Sequence, residues 1–372
     1  MKKKKKKLRK IGIISLIIID LIVALCFFLT YGPYSYFRDF LVTTAMTTMT
    51  HKYLARTFYS EETINKVLAK NTIETFTEGT DTSKIIIGGE TKTDYASEYE
   101  RQILEREENQ EYKLIEFEYN SYDCYLVAIY DPSRVSLAQT EYLNVQGEVL
   151  RNIAKKNGAK VAINAGGFVD PNGTGNGGIP MGPVIQNGVA TNGQMDEAFE
   201  MVGINEDNIL VLKHTTVRQA LEEKIRDAVS FGPYLIVNGK SAKITGNGGW
   251  GINPRTVIAQ RKDGIILFLV VDGNGQNRYN WNGRGGVTLN EVIEILERYD
   301  AYNAANMDGG ASTNLVIENK LYNKPCAISE TGERRLPNGW IFKWYFISLF
   351  YLICFKIKDI FDKIKWRWYY AW

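Results

Sequence analysis

Residues 303–313 read Asn-Ala-Ala-Asn-Met-Asp-Gly-Gly-Ala-Ser-Thr, a short apolar stretch that runs into a carboxylate, two glycines and two hydroxyl side chains. The pattern predicts a strand over Asn303–Met307 that ends at Asp308. Glycines at a strand end let the main chain approach a ligand closely. A carboxylate held there is rigid and partly removed from water, as an acid or base catalyst requires. This stretch therefore predicts a strand and a candidate catalytic group together.

Two other predicted strands end in the same way. The strand 160–163 runs into Asn164-Ala-Gly-Gly-Phe168, and the strand 264–271 runs into Asp272-Gly-Asn-Gly-Gln276. Asp-Gly pairs also make ordinary turns, but three such strand ends favour a shared site. We expect Asn164, Asp272 and Asp308 to line one cleft at the carboxyl ends of their strands. Asp170, in the Pro/Gly-rich loop that follows, is expected to tolerate substitution.

One arginine is a candidate for the same cleft. Asn253-Pro-Arg-Thr256 precedes a predicted strand over Val257–Ala259. The planar guanidinium of Arg255 is a forked donor suited to phosphate or carboxylate. The alternative is a surface ion pair. We expect Arg255 to join the two carboxylates.

The order of the predicted elements indicates the fold class. Thr288 and Glu291 form a capping-box pattern that opens a helix, and Asn238-Gly239 is typical of a hairpin turn. Helices and strands alternate irregularly along residues 112–342. We therefore expect a mixed α/β fold of the α+β type: one catalytic domain over 112–342, with a mixed sheet and flanking helices.

The N-terminus has the pattern of a membrane anchor. Residues 2–10 carry eight Lys or Arg, and residues 11–30 are apolar except at Gly12, Ser15 and Asp20. About 20 such residues span a bilayer, and the basic flank 1–10 is expected to stay in the cytoplasm. A cleaved signal peptide is the alternative, but no small-x-small cleavage site follows. A single-pass membrane protein with its main domain outside the cell is expected.

The regions beside the domain are expected to be accessory. Within residues 31–111, residues 34–70 are predicted to form a helical stalk and residues 71–111 a polar linker or a solvated helix. Residues 343–372 mix apolar and basic side chains with Trp, a composition that favours packing at a membrane interface. A second anchor and a terminus altered by a change of reading frame are the alternatives for this tail.

Composition excludes several classes of function. The chain has 2 His, which excludes sites built from several histidines, and 4 Cys without a Cys-x-x-Cys pair, which disfavours a zinc site. Cys124 is expected on a buried strand, and its pairing with Cys326 stays open.

Residues 31–342 hold 31 basic and 39 acidic residues, and such an acidic body disfavours nucleic-acid binding.

Two glycine-rich patterns suggest ligands that their context does not support. Residues 173–178 fit the spacing of a dinucleotide loop, but no helix follows. Residues 272–276 partly match a calcium loop without its glycine and final glutamate. Calcium stays a secondary option, and no other metal or cofactor is expected.

Taken together, the motifs resemble the phosphodiester glycosidase family, which includes the lysosomal uncovering enzyme. Two features depart from the family pattern: Ala311 stands where the family usually has glycine, and the chain continues well beyond the last motif. The resemblance covers about residues 112–342 and rests on Ile163-Asn-Ala-Gly-Gly-Phe168, Phe231-Gly-Pro-Tyr-Leu-Ile-Val-Asn-Gly239, Asn253-Pro-Arg-Thr256, Val271-Asp-Gly273, Gly286-Val-Thr-Leu-Asn-Glu291, Asn306-Met-Asp-Gly-Gly-Ala-Ser-Thr313 and Arg334-Arg-Leu-Pro337.

The resemblance implies a hydrolase that cleaves a glycosyl phosphodiester outside the cell. Cell-wall or exopolysaccharide polymers with phosphodiester links are the expected substrates, and membrane lipid is an expected partner. Asp308 and Asp272 would then be the catalytic carboxylates, and Arg255 would hold the departing phosphate. The expected substrate-binding residues are Asn164, Gly166, Gly167, Phe168, Thr256, Gly309, Gly310, Ser312 and Thr313.

A function from a different class fits the same fold. A non-catalytic polysaccharide-binding or assembly protein would need exposed aromatic platforms. Trp250, Tyr279 and Trp281, in loops rich in Gly and Asn, could supply them. If the side chains of the two aspartates and Arg255 do not converge in one pocket, this binding function is favoured over the enzyme.

Overall fold

The described residues form eight α-helices and nineteen strands. The computed structural model describes residues 2–33, 35–47, 52–88, 94–273, 285–327 and 329–344. The helices are α1 Lys2–Tyr31, α2 Ser35–Thr47, α3 Lys52–Phe58, α4 Glu61–Leu68, α5 Glu98–Leu104, α6 Leu150–Lys156, α7 Val217–Glu222 and α8 Leu289–Arg298. The strands are β1 Thr72–Ile73, β2 Tyr112–Tyr119, β3 Tyr122–Ile129, β4 Val135–Gln139, β5 Ala159–Asn164, β6 Val184–Gln186, β7 Val189–Asn192, β8 Ala198–Asn205, β9 Leu210–Thr216, β10 Ile225–Ser230, β11 Tyr234–Val237, β12 Lys240–Ser241, β13 Ile244–Thr245, β14 Arg255–Arg261, β15 Ile266–Val271, β16 Ala301–Asn306, β17 Leu315–Ile317, β18 Lys320–Leu321 and β19 Asn338–Lys343.

The strands form three large sheets and one small one. The largest has the order β12-β11-β16-β14-β15-β3-β2, and two five-stranded sheets have the orders β18-β17-β5-β19-β4 and β7-β6-β10-β8-β9. β1 and β13 form a separate pair. The mixed α/β class is confirmed. The expected mixed sheet is wrong, because every strand pair in the described residues is antiparallel; short hairpins such as β2–β3 join antiparallel strands directly.

The core lies on both faces of the seven-stranded sheet. One face packs against the other two large sheets through residues such as Ile258, Phe268 and Trp340. The opposite face is covered by α8, which buries Val292 and Leu296. The predicted capping box at the start of this helix is confirmed. Because side chains alternate along a strand, neighbouring residues of β14 face opposite sides of the sheet.

The register brings several strand ends to one place. Arg255 pairs with Val271, and Val257 pairs with Asn306, so β14 begins where β15 and β16 end. Asp272 and Asp308 follow directly from those two ends. A hydrogen bond from the Asp308 N–H to the Ala165 carbonyl (3.0 Å) then joins this edge to the end of β5. Two sheets therefore meet at the predicted strand-end motifs.

The N-terminal part consists of helices. One helix, Lys10–Tyr31, is long and apolar enough to cross a membrane and is not buried against the rest of the chain. Three shorter helices follow over the predicted stalk, α2 to α4. They pack on one another through a small apolar cluster that includes Val42, Ala55 and Ile64.

The predicted polar linker over 71–111 is largely part of the domain. β1 pairs with β13, and the Thr80 N–H donates to the Leu212 carbonyl. Phe76 packs against the core on both sides of the large sheet, and Ile103 of α5 is fully buried. In its described residues this segment is therefore not a solvated linker, because a few apolar side chains within a polar stretch hold it on the sheets. The helix that was the alternative is present as α5, but it buries Ile103.

The last described strand lies inside the fold. β19 is paired on one side with β5 and on the other with β4. Trp340, Ile341 and Phe342 are fully buried in it. Most of the predicted interfacial tail, residues 345–372, lies outside the described residues.

Candidate functional site

Asp308 projects from the junction of two sheets. The Met307 N–H donates to the Thr256 carbonyl (2.8 Å), and the Asp308 N–H donates to the Ala165 carbonyl. These main-chain bonds fix the residue at the end of β16. Asp308 as a whole residue is half-buried, and burial of its carboxyl group dominates its electrostatics.

The surroundings of Asp308 favour its neutral form. Burial raises the pKa of this carboxyl to about 6, although a hydrogen bond from the Ser312 side chain and the charge of Arg334 oppose the rise. The charge of Asp170 adds to it. A carboxyl with a pKa near 6 exchanges its proton close to neutral pH, which suits an acid or base catalyst.

The loop after Asp308 is shaped by close main-chain approach. A Cβ atom on Gly309 would lie 2.8 Å from the Pro254 carbonyl oxygen, whereas a Cβ on Gly310 would meet nothing within 4 Å. Gly310 has a φ of 60°. Ser312 and Thr313 are buried behind this turn, and Thr313 Oγ1 makes no hydrogen bond within the described part of the chain. The turn leaves open space beside the Asp308 main chain.

The side chain of Asn164 forms hydrogen bonds with three segments of the site. Its Nδ2 donates to the Asp308 carbonyl (2.5 Å). Its Oδ1 accepts from Thr256 Oγ1 (2.8 Å) and from the Asn314 N–H (3.0 Å). Asn164 is fully buried. The residue therefore holds three segments in place, and these contacts indicate a positioning role rather than contact with a ligand.

The glycines after Asn164 permit tight packing. The Gly166 N–H donates to Asn338 Oδ1 (2.9 Å). A Cβ on Gly167 would lie 2.9 Å from the Phe231 ring, and that ring packs edge-on against Trp250 with centroids 6.1 Å apart. Phe168 is almost fully buried. The candidate aromatic Trp250 is thus half-buried beside the site, whereas Tyr279 and Trp281 lie outside the described residues.

Asp272 is near the site, but both of its carboxylate oxygens already accept hydrogen bonds from protein groups. Its two oxygens accept from Asn323 Nδ2 (2.7 Å) and from the Lys324 N–H (2.7 Å). Asn323 Nδ2 also donates to the Thr313 carbonyl (3.1 Å). Burial raises the pKa of Asp272 to about 6, against those two hydrogen bonds. The side chain of Asn323 therefore links Asp272 to the loop 309–313 by hydrogen bonds.

Arg255 and Thr256 point to opposite faces of β14. Thr256 bonds to Asn164 between the sheets. The Arg255 guanidinium donates to the carbonyls of Val287 (3.1 Å), Trp250 (2.9 Å) and Gly251 (2.7 Å). Burial lowers the pKa of Arg255 to about 10. The structure thus brings Asn164, Thr256 and Asp308 together. The expected convergence of Arg255 with the two carboxylates is not seen, because its guanidinium is bonded to main-chain carbonyls.

Two charged residues that act on Asp308, Arg334 and Asp170, were not among the site residues predicted from the sequence. Arg334 Nη1 donates to Asp170 Oδ2 at 2.6 Å, and the Arg334 guanidinium lies 4.6 Å from the centre of the Phe168 ring. The Asp170 side chain is 4% exposed. The expectation that Asp170 tolerates substitution is therefore wrong, because it would leave a partly buried arginine without its partner. Arg334 stands in one of the motifs quoted for the family, which was the available signal.

Metal-binding groups do not cluster in the described ranges. No three His, Cys, Asp or Glu side chains lie close enough there to hold a metal ion. Asn274 and Gln276, from the partial calcium pattern, lie outside those ranges. Cys124 is buried on β3 as predicted, and no disulfide joins it to Cys326.

Sequence comparison identifies relatives of this domain. The family model described as phosphodiester glycosidase matches residues 157–343, half of the chain. N-acetylglucosamine-1-phosphodiester alpha-N-acetylglucosaminidase of Bos taurus is 28% identical over 203 residues, which are 50% of this chain and 36% of that protein. The Homo sapiens protein of the same name is 30% identical over 86 residues, 23% of this chain and 15% of its own length. The chain therefore matches a minor part of these relatives.

Comparison with solved structures gives matches with TM-scores below 0.5 and low sequence identity. The zebrafish N-acetylglucosamine-1-phosphodiester alpha-N-acetylglucosaminidase catalytic domain, auto-inhibited by its pro-peptide, has a TM-score of 0.49 and 20% identity, covering 63% of this chain and 82% of its own. A hypothetical protein from Synechocystis has a TM-score of 0.45 and 16% identity, covering 62% of this chain and 61% of its own. On the family match over residues 157–343, the chain belongs to the phosphodiester glycosidase family.

Proposed function

We propose that this protein hydrolyses a sugar-1-phosphodiester and that Asp308 is its catalytic carboxyl group. The observation that carries the proposal is the placement of Asp308 at the junction of two sheets. Asp308 is half-buried there, has a pKa of about 6, and lies two residues before Gly310, which has open space beside it. Membership of the phosphodiester glycosidase family supports the reaction type.

The chemistry needs one water molecule and no oxidant. The bond between the anomeric carbon and the phosphate oxygen breaks, the water oxygen bonds to that carbon, and a phosphate monoester leaves. The transition state resembles an oxocarbenium ion, which a nearby carboxylate stabilises. At pH 7 most Asp308 carboxyls are ionised, so Asp308 can accept the proton of the attacking water. The leaving phosphate is already anionic and needs less help from an acid.

The other residues divide into two groups under this proposal. Gly310, with open space beside it, would contact the substrate. Ser312, Gly166 and Gly167 are buried and would act by positioning. Asn164, Thr256, Asp272 and Arg255 are engaged with protein groups and would act by positioning. Phe168 would act indirectly, by holding the guanidinium of Arg334 that stacks on its ring.

We further propose that the domain works outside the cell while anchored in the membrane. The support is an apolar helix over Lys10–Tyr31 after a flank of eight basic residues. Phosphodiester-linked polymers of the cell surface would be substrates within its reach, and lipid would surround α1. The relatives named above suggest N-acetylglucosamine as the first sugar to test.

The test uses the full chain in detergent micelles. N-acetylglucosamine-1-phosphodiesters and a panel of other sugar-1-phosphodiesters are incubated with the protein, and released sugar is measured by chromatography. We expect release from at least one member of the panel and none with Asp308→Asn. Asp207→Asn, on an exposed hairpin turn between β8 and β9, is the matched control and should behave as the wild type.

The same panel distinguishes the alternative. If the folded wild-type protein releases no sugar but binds surface polysaccharide, and Trp250→Ala weakens that binding, the protein is a glycan-binding module and the hydrolase proposal is wrong. The half-buried pair of Trp250 and Phe231 is the aromatic surface that such binding would use.

A further inference from the structure

Arg334 combines three features of a phosphate ligand. Its side chain is 18% exposed, so its charge is partly removed from water and still accessible. Its guanidinium is fixed over the Phe168 ring at 4.6 Å. Its charge acts directly on the Asp308 carboxyl. An accessible, oriented guanidinium whose charge reaches the proposed catalytic carboxyl is suited to bind an oxyanion near the reacting atom.

The guanidinium of Arg334 has N–H groups that Asp170 does not use. Nη1 bonds to Asp170 Oδ2, and within the described ranges the guanidinium makes no other hydrogen bond. The other oxygen of Asp170 accepts from the Gly175 N–H (2.7 Å), so both oxygens of this carboxylate are used by protein groups. Asp170 thus orients Arg334 from one side and leaves Nε and Nη2 for another acceptor.

Arg255 differs in each of these respects. It is 2% exposed, and Nε and Nη2 donate to three main-chain carbonyls. It also shares the face of β14 that packs towards α8, since its neighbour Val257 belongs to that core cluster. A substrate phosphate beside Asp308 would therefore meet Arg334 before it could meet Arg255.

We propose that Arg334 binds the phosphate of the substrate and that Asp170 is the positioning residue that orients it. This inference rests on the proposed function, because it assigns the phosphate end of the same site. It replaces Arg255, the arginine that the sequence suggested for this task. Asp308 then lies at the sugar end of the scissile bond, and Ser312 bonds to its carboxyl group.

The experiment compares four arginine variants in the full chain. Kinetic constants on N-acetylglucosamine-1-phosphodiester and the Kd of inorganic phosphate are measured for R334Q, R334K, R335Q and R255K. For R334Q we expect kcat/KM to fall by roughly 10- to 100-fold and phosphate affinity to fall as well, the loss of one charge-assisted contact. R335Q is the matched control, since Arg335 is exposed and adjacent, and should leave both values unchanged.

The other variants keep the inference falsifiable. If R334Q does not fold, R334K carries the test, and we expect it to raise KM by roughly 3- to 10-fold because Lys keeps the charge but loses the fork. R255K should lower the Tm and leave the phosphate Kd unchanged. A folded R334Q with wild-type KM and phosphate affinity overturns the proposal, as does an R255K variant that alone weakens phosphate binding.

The role of Asp170 is tested by the pH dependence of the reaction rate. Asp170→Asn removes a negative charge that helps to raise the pKa of Asp308, while Arg334, which opposes the rise, keeps its charge. The acidic limb of the pH–rate profile should therefore move to lower pH, and KM should rise. An unchanged profile with only a lower Tm would make Asp170 a structural residue and overturn its assignment.

Failure of the proposed function remains distinguishable from failure of this inference. If the wild-type protein hydrolyses no sugar phosphodiester, the proposed function is wrong. Binding of inorganic phosphate that R334Q weakens and R335Q does not would still support the phosphate site. Wild-type protein that binds no phosphate overturns the site as well.

Discussion

Asp308→Asn should remove activity without loss of stability. The raised pKa means that the folded protein disfavours the ionised carboxyl. A pKa of about 6 against an ordinary 3.8 corresponds to a cost of up to about 3 kcal/mol at pH 7. Asparagine has no charge to bury and can still accept from the Ser312 side chain. The substitution should therefore keep the free energy of unfolding or raise it by up to this amount.

The pH dependence of the effect has a definite sign. Below pH 3.8 the carboxyl is protonated in the folded and unfolded states, and it contributes nothing to stability. Between about pH 3.8 and pH 6 the unfolded state ionises first, so the wild type loses stability as the pH rises. The gain of Asp308→Asn over the wild type should thus be largest at pH 7 and vanish near pH 4.

The assay is thermal unfolding at both pH values together with turnover. For a domain of this size, about 1 kcal/mol moves the Tm by roughly 2–4 °C, so the upper limit of the rise at pH 7 is roughly 6–12 °C. Turnover should fall on the order of 10²-fold or more, the scale of one acid or base group. Asp207→Asn should change neither quantity.

One result would refute the reasoning. If Asp308→Asn unfolds the domain, or lowers its Tm by several degrees, while activity per folded molecule survives, Asp308 is a structural turn residue. The catalytic role would then pass to Asp272, whose pKa is also about 6.

Three more predictions follow from the same structure. Activity should rise with pH through about 6 if ionised Asp308 is the base; a flat kcat/KM between pH 5 and pH 7 would exclude it from that role. Gly309→Ala should lower both Tm and activity, because its Cβ would lie 2.8 Å from the Pro254 carbonyl oxygen, and crystallography or circular dichroism should show whether the turn has moved. In intact cells of a Cys326→Ser background, Asp207→Cys should react with a membrane-impermeant maleimide; labelling only after lysis would reverse the proposed topology.

The sequence was sufficient for features that depend on local order. The apolar run over residues 11–30, the capping box at Thr288, the hairpin at Asn238-Gly239 and the strand before Asp308 each follow from neighbouring residues. The motifs also indicated the family, because their order along the chain is itself a sequence property. The positions of Asn164 and Asp308 at strand ends were predicted for the same reason.

Tertiary structure alone decided which charged groups meet. Alternation along β14 sends Thr256 towards Asn164 and Arg255 to the other face, and no local pattern shows which face borders the site. Arg334 reaches Asp170 across 164 positions in the chain. The polar segment around Phe76 is held on the sheets by contacts that its own composition does not indicate. Spacing along a chain fixes local geometry, whereas the partners of a buried charge depend on which distant strands pair.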